Sequence, residues 1–318
     1  TVRVLVTGGA GFIGATTSAA LLEAGHEVVV VDDLSRGHRD AVPAGAELVV
    51  ADVTDREVIG PIVRGRGFDA CLHFAALIEA GESMREPERF FAVNTAGSAT
   101  LLAALREAGV ERFVLSSTAA VYGDPDRTPI AEDDALAPNN PYGESKLLVE
   151  RMLTWHHRIH GLRYAALRYF NAAGATPGRP ERHEPETHLI PLVLQVARGQ
   201  RDHIAVFGDD YDTPDGTCVR DYIHVVDLAD AHVRAIERLD DHPQLICNLG
   251  NGAGFSVLEV VESARRVTGH AIPAELAARR PGDAAQLVAS SARARQLLGW
   301  TPQHTDLDAI VADAWDAT

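Results

Sequence analysis

The sequence is short of cysteine, has no run of basic residues and contains no long apolar stretch, and each shortage argues against a class of protein. Its three cysteines, Cys71, Cys218 and Cys247, stand far apart and form neither a CxxC pair nor a metal-ligand spacing. They read as small buried residues of a chain kept in a reducing cytoplasm, not as a disulfide framework, and no metal is expected. Acidic residues outnumber basic ones by 45 to 29, for a net charge of −16, and no Lys/Arg cluster interrupts that surface. Nucleic-acid binding through phosphate neutralisation is a poor match to such a chain, so a polyanionic ligand must be held by local donors. No apolar run approaches bilayer-spanning length, so no membrane partner is expected, and the apolar start at residues 2–6 is cut short by Gly8, as in a strand and not a signal peptide. Repeats and low-complexity segments are missing too, whereas 318 residues at 46% hydrophobic content suffice for a large core.

What is present is a regular alternation. Residues 2–6, 27–31, 47–50, 69–74, 112–116 and 164–169 are dense in apolar side chains and bounded by Gly, Pro or charge, which predicts strands. Helices are expected between them at 15–24, 90–108 and 142–160, each stopped by a glycine: Gly25, Gly109 and Gly161. Apolar strands alternating with helices predict a parallel sheet covered on both faces. After Asn171 the rhythm breaks into a Gly-, Pro- and charge-rich stretch at 172–188 and then a mixture of short elements. The expected organisation is α/β: a Rossmann-type doubly wound parallel sheet over 1–171, and a smaller mixed α/β C-terminal substrate domain over 172–318, interleaved with the first. A last helix near 307–315 would put Leu307, Val311, Ala314 and Trp315 on one packing face.

Thr7-Gly8-Gly9-Ala10-Gly11-Phe12-Ile13-Gly14 follows the first strand and opens the first helix. Glycines at 8, 11 and 14 permit a tight turn, a close backbone approach to a pyrophosphate and close helix–strand packing, with the helix N-terminus facing the phosphate charge. An acid, Asp32, ends the second strand, with Asp33 beside it. A carboxylate there accepts from ribose hydroxyls and repels a 2′-phosphate, which favours NAD over NADP, although Arg36 folded over the ribose would soften the preference.

Tyr142 and Lys146 stand four apart at the start of a helix, hence on one face. A phenol ordinarily ionises near pH 10, so a tyrosine base at neutral pH needs positive charge nearby, which Lys146 and an oxidised nicotinamide can supply. Taken alone, the pair reads more readily as surface chemistry; the upstream glycines give it weight. The strand at 112–116 runs into Ser116, Ser117 and Thr118, at the strand end where such sheets bind ligands. Thr118 can hydrogen-bond a reacting hydroxyl beside Tyr142, whereas Ser116 and Ser117 are as well explained by satisfying backbone groups.

With these residues in hand, the chain resembles the UDP-glucose (UDP-galactose) 4-epimerase family of extended short-chain dehydrogenases. The likeness includes His73-Phe74-Ala75-Ala76, Leu167-Arg168-Tyr169-Phe170-Asn171-Ala172, Val206-Phe207-Gly208, Arg220-Asp221-Tyr222-Ile223-His224-Val225 and Leu298-Gly299-Trp300-Thr301-Pro302. The resemblance implies Gly8, Gly11, Phe12, Ile13, Asp32, Leu34, Asp52, Val53, Phe74, Ala75, Ala76, Asn94, Tyr142, Lys146 and Phe170 around NAD. It implies Thr118, Asn171, His188, Leu189, Ala205, Val206, Phe207, Arg220, Tyr222, Arg280, Asp283 and Leu287 around a UDP-sugar, with Arg220 and Arg280 on the diphosphate. From the residues alone, Arg220 could equally pair with Asp221 or Asp227. Two positions depart from some family members: Ile78 replaces a lysine near the cofactor, and Leu287 replaces a bulky tyrosine. The smaller Leu287 would leave room for a 2-acetamido group, extending the range to UDP-GlcNAc and UDP-GalNAc.

The implied reaction is redox-neutral: Tyr142 takes the 4-hydroxyl proton, hydride leaves C4, and the 4-keto sugar turns over before hydride returns to its other face. Related dehydratases carry an acid just after the equivalent threonine; here Thr118 is followed by Ala119 and Ala120. A 4-epimerase of UDP-glucuronate or a pentose stays open, and so does a non-catalytic nucleotide-binding regulator. A homodimer through the helices near 90–108 and 142–160 is implied by the resemblance alone. Because Asp32 decides the cofactor, the purified protein is expected to bind NAD more tightly than NADP in a direct titration; tighter NADP binding would overturn that assignment.

Overall fold

In a computed structural model, which describes residues 1–280 and 282–318, a seven-stranded parallel sheet forms the larger layer. Its strands are β1 (Arg3–Thr7), β2 (Glu27–Asp32), β3 (Glu47–Val50), β4 (Ala70–His73), β5 (Arg112–Thr118), β6 (Arg163–Tyr169) and, after three strands of the second layer, β10 (Gln244–Leu249). Their spatial order is β10-β6-β5-β4-β1-β2-β3, so the winding reverses between β1 and β4 and leaves a crevice at their C-terminal ends. Six of these strands match the sequence expectation to within about two residues; β10 comes from the C-terminal part of the chain and extends the sheet beyond β6 in parallel register.

Alternate side chains of the sheet feed two cores, as burial on both faces requires. Val4 and Val6 pack with α1 (Phe12–Glu23) and α8 (Val225–Arg238), alongside Trp300. Leu5, Val29 and Val31 pack with α2 (Arg56–Arg64), α5 (Gly97–Glu107) and α6 (Pro141–His160). Short helices α3 (Ala80–Ser83) and α4 (Pro87–Phe90) precede α5, and the single helix expected at 90–108 is interrupted by a π-helical segment at Phe91–Ala96. The interruption carries Asn94, whose amide is turned to the loop after β4: Oδ1 accepts from the Leu77 N–H at 2.8 Å and Nδ2 donates to the Leu77 carbonyl at 2.9 Å. Asn140 caps α6 by accepting from the Gly143 N–H, and Gly161 ends the helix in the left-handed region.

The second layer centres on β9 (Val219–His224), flanked by β7 (Asn171–Ala173), β11 (Gly254–Ser256) and β13 (Gln286–Leu287). A separate pair, β8 (Ile204–Phe207) with β12 (Ala274–Ala277), lies beyond it. Helices α7 (Leu189–Ala197), α9 (Val257–Thr268) and α11 (Leu307–Asp316) share a third core, while α10 (Ala292–Leu298) joins the first. In α11, Ile310 is buried with Leu307 and Val311, while Ala314 and Trp315 are only partly covered.

Between β5, β6 and α6 lies a buried ion pair. Arg168 Nη2 and Nε donate to Glu150 at 2.7 and 3.0 Å, Ser117 Oγ donates to the same carboxylate at 2.5 Å, and Arg168 Nη1 donates to the Tyr122 hydroxyl at 2.8 Å. Both partners of the pair are at least 96% buried, so removing one strands the other charge in a low-dielectric interior. Arg168→Met is expected to lower the unfolding free energy by about 3–5 kcal/mol in urea denaturation; a loss under about 1 kcal/mol would show that Glu150 is compensated by other groups.

Candidate active site

A cavity of about 510 Å³ opens at the switch point between β1 and β4 and runs to the end of β5. At its phosphate end Gly8 adopts a positive φ of 70°, and a Cβ there would lie 2.5 Å from the Ala75 nitrogen. A Cβ on Gly14 would lie 2.3 Å from the Gly8 carbonyl oxygen. These two positions therefore hold the loop against β4 and the helix against the loop, as the glycine pattern predicts. Gly11 is the N-cap of α1 and no side chain caps the helix, so its first-turn amides face the cavity with their hydrogen-bonding capacity available. Asp32, 7% exposed, lines the wall beyond; its carboxylate accepts from the Ala10 and Leu34 N–H groups at 3.0 and 2.9 Å. Burial raises its pKa, against the pull of those two bonds. An anion-accepting helix end followed by a ribose-distance acid fits a dinucleotide. Arg36 is not spread over that acid: it pairs with Glu79 and Glu82 at 3.4 and 3.7 Å and donates to the Glu184 carbonyl.

Of the residues expected around NAD, Gly8, Gly11, Phe12, Ile13, Asp32, Asp52, Val53, Phe74, Ala75, Ala76, Tyr142 and Phe170 line this cavity. Leu34 stands behind Asp32 in the left-handed region, with φ at 60°. Asn94 is a buried strut, which besides its Leu77 bonds donates to Ser145 Oγ at 3.0 Å and so ties the β4 loop to α6. Ile78, the position noted above as departing from some family members, lines the wall beside Glu79.

Thr118 and Tyr142 meet at the inner end, where β5 finishes and α6 begins. Burial raises the phenol pKa; the adjacent Thr118 hydroxyl opposes the rise and the Glu79 carboxylate adds to it. Lys146, one turn along α6, is 3% exposed, and burial pulls its pKa down to about 8 against the attraction of Glu150. It is also the only lysine in the sequence, a signal that composition could have given. Ser116 and Ser117 both line the cavity, and the Ser117 hydroxyl donates to a side chain, Glu150, and not to the backbone.

The residues expected around the sugar nucleotide fall into two groups. Asn171 and His188 line the cavity with Thr118. Burial would lower the His188 pKa, but Glu181 and Glu186 hold it up at about 10. The second group lies on the smaller layer. Arg220 donates to the carbonyls of Val219 and Ala284 at 2.9 and 2.8 Å and pairs with Asp283 at 3.4 Å, not with Asp221 or Asp227. Arg280 donates to the same Asp283 at 3.0 Å and stacks 4.7 Å over the Phe207 ring. Leu287 sits opposite Arg220 in the β13–β9 register and packs with Phe170 against Val121, Tyr122, Ile130 and Leu147. Tyr222 is buried opposite Asn171 in the β7–β9 register, which links the two groups. Ala205 and Val206 belong to β8, and Leu189 starts α7; these three do not line the cavity.

A segment missed by the sequence reading also lines the cavity, residues 179–184, which crosses from the second layer to the loop after β2. Arg179 donates to the Ala41 carbonyl at 3.1 Å, Arg182 pairs with Asp40 at 2.8 Å, and His38 Nε2 meets the Arg182 carbonyl at 3.0 Å. Its composition gave a loop; only the fold shows that the loop straps the crevice.

A glycine-turned helix end at the sheet reversal, an acid beyond it and a buried Tyr-x-x-x-Lys helix beside a strand-end threonine define a dinucleotide-binding enzyme of the extended short-chain dehydrogenase class. The NAD dependent epimerase/dehydratase family pattern matches residues 4–250. A Streptomyces lividans protein named UDP-glucose 4-epimerase is 55% identical over 315 residues, 99% of this chain and 95% of that one. The crystal structure of a UDP-glucose 4-epimerase from Brucella ovis in complex with NAD superposes with a TM-score of 0.96 at 44% identity, covering 99% of each chain. One from Stenotrophomonas maltophila, with bound NAD and formylated UDP-arabinopyranose, gives 0.96 at 40% identity over 100% of this chain and 98% of that one. The chain belongs to the NAD dependent epimerase/dehydratase family.

Lys146 carries a pH signature. Between about pH 8 and its unfolded value near 10.4 the unfolded chain binds more protons at this residue than the folded one, so the penalty for burying the ammonium is full below pH 8 and is released as pH rises. Lys146→Met is expected to flatten the gain in unfolding free energy between pH 8 and 10; an unchanged slope would show that the amine is solvated.

Proposed function

We propose that this chain interconverts the C4 epimers of a UDP-hexose, UDP-glucose and UDP-galactose, with NAD retained through the cycle. The observation that carries the reading is the juxtaposition of Tyr142 and Thr118 at the inner end of a cavity whose outer end is an uncapped helix N-terminus. The amides of Phe12 and Ile13 would hold the cofactor diphosphate, Asp32 its adenosine ribose, and Phe170 would flank the nicotinamide. When bound, NAD supplies the oxidant that takes hydride from C4 and returns it, together with the positive charge that the buried phenol needs to ionise.

Tyr142 accepts the 4-hydroxyl proton and gives it back, and Thr118 orients that hydroxyl. Epimerisation requires the 4-keto sugar to present its other face, so binding must be strong on UDP and weak on the hexose. Arg220 and Arg280 share the single carboxylate of Asp283, which leaves a positive charge for the diphosphate. On this reading residues 1–171 hold the cofactor and the smaller layer within 172–318 holds the nucleotide. Leu287, packed beside Phe170, favours a range that includes UDP-GlcNAc and UDP-GalNAc. Exposed Trp155 and Ile159 on α6, at 58% and 65%, support pairing of two copies through that helix. No helix among the described residues is long and apolar enough to cross a membrane. All three cysteines are free and buried, which supports a place in the reducing cytoplasm.

Incubation with UDP-galactose, UDP-GalNAc and UDP-glucuronate in turn, with no added cofactor, is expected to convert the first and, through Leu287, the second. No turnover of UDP-galactose would reject the assignment, and turnover of UDP-glucuronate alone would transfer it to the acidic sugar. Tyr142→Phe should lower turnover by at least about 100-fold while UDP-sugar binding persists in calorimetry; an active variant would mean another base.

A further inference from the structure

The strap and the residues that follow it, 181–188, contain a cluster of which only His188 has a place in the proposed reaction, as an expected sugar-nucleotide contact. Glu181, His183, Glu186 and His188 each point one ligand-type atom inward, all within 4.8 Å of one another. Both imidazoles present Nδ1: His183 lies 2.9 Å and His188 2.8 Å from the same Glu181 oxygen, and His188 lies 3.0 Å from Glu186 Oε1. The other Glu186 oxygen is 3.8 Å from His183 Nδ1.

The two carboxylates are 7% and 6% exposed and, among the described residues, neither has an arginine or lysine partner. The nearby cations are engaged elsewhere: Arg182 with Asp40, Arg36 with Glu79 and Glu82, and Arg198 with the Trp315 carbonyl and ring. Two near-buried carboxylates facing two imidazole nitrogens are the donor set of a divalent transition metal, and one such ion would take the place of the proton that otherwise bridges His188 and the carboxylates.

We propose that Glu181, His183, Glu186 and His188 bind one divalent transition-metal ion, Zn²⁺ in preference to Mg²⁺ or Ca²⁺, which clips the strap shut beside the cofactor cavity. Two nitrogen and two carboxylate ligands at about 2.0–2.2 Å from Zn²⁺ require ligand atoms about 3.3 Å apart in a tetrahedron. The four ligand atoms lie from 2.8 Å to at most 4.8 Å apart, a range that brackets that value, so side-chain shifts of about 1 Å suffice. Hard cations would need more oxygen donors than the cluster offers. The ion has a way in: Glu181, His183 and Glu186 also line a second cavity, of about 240 Å³, on the far side of the strap. The expectation of no metal rested on cysteine spacing, and the x-Glu-x-His-x-x-Glu-x-His pattern of 180–188 escaped it because its residues are assembled by a loop, not by one helix face.

The ion here is structural. Glu181, His183 and His188 line the main cavity on the strap side, whereas Tyr142 and Thr118 close its inner end. The assignment concerns the strap and not the reacting atoms, so its test reads no turnover. Untagged protein, stripped with a chelator, is titrated with ZnCl₂ by calorimetry and with CoCl₂ by visible absorption. Expected are one ion per chain, a tetrahedral-type Co²⁺ spectrum displaced by Zn²⁺, and a melting temperature raised by at least about 3 °C in excess Zn²⁺. His183→Gln and Glu186→Gln, near in volume to the residues they replace, should each weaken Zn²⁺ at least about tenfold while keeping the parent circular dichroism. Zinc bound with equal affinity by the double variant H183Q/E186Q would place it on other histidines, and a stoichiometry far below one, or an octahedral Co²⁺ spectrum, would equally overturn the proposal and leave a proton-bridged cluster.

Discussion

Glu150 lies midway along α6 with its charge shut away from water, and Arg168 from β6 and Ser117 from β5 are the groups that make this tolerable. The consequence is positional. A helix whose central carboxylate is tied at fixed distances to two strands can neither slide nor rotate without stranding that charge, a cost of several kcal/mol. Tyr142 and Lys146 stand two turns and one turn before Glu150 on the same stripe of the helix, so the pair inherits the fixation. The Tyr122 hydroxyl, which accepts from Arg168 and donates to Asn248 at 2.6 Å, carries the same constraint to β10. That strand belongs to the C-terminal part of the chain, so the ion pair also locks the two parts of the sequence into one sheet.

Around this anchor the site is made from one end of a parallel sheet. The reversal between β1 and β4 opens the crevice, two glycines let loop and helix close on it, and Asn94 pins the β4 loop to α6 through Leu77 and Ser145. The smaller layer supplies the rest: Asn171 at the start of β7 continues directly from β6, and β9 places Arg220 and Tyr222 beside it. The larger sheet and the smaller layer are therefore joined directly, through the continuation of β6 into β7 and the β7–β9 register.

Much of this was legible in the residues. Six strands, the long helix at α6, the glycine turn, Asp32, Thr118 and Tyr142 all follow from patterns that act locally, because apolar alternation, caps and turn chemistry are local physics. What escaped depends on partners far along the chain. β10 needs β6 to be recognised as its neighbour; the π-helical segment at Phe91–Ala96 exists where Asn94 reaches Leu77; Arg220 chose Asp283, 63 positions away, over the acids beside it. Ile310 was omitted from the buried face of α11 although its helical position places it there. The strap at 179–184 reads as an ordinary polar loop until Asp40, Ala41 and His38 are seen beneath it.

The single lysine has a chemical corollary. Every other cationic side chain apart from the histidines is a guanidinium, which keeps its proton and does not act as a nucleophile under ordinary conditions. The molecule thus offers no side-chain amine on its outside to acylating, glycating or cross-linking reagents. Such chemistry, enzymatic acetylation included, could reach a side-chain amine only by entering the interior beside Tyr142.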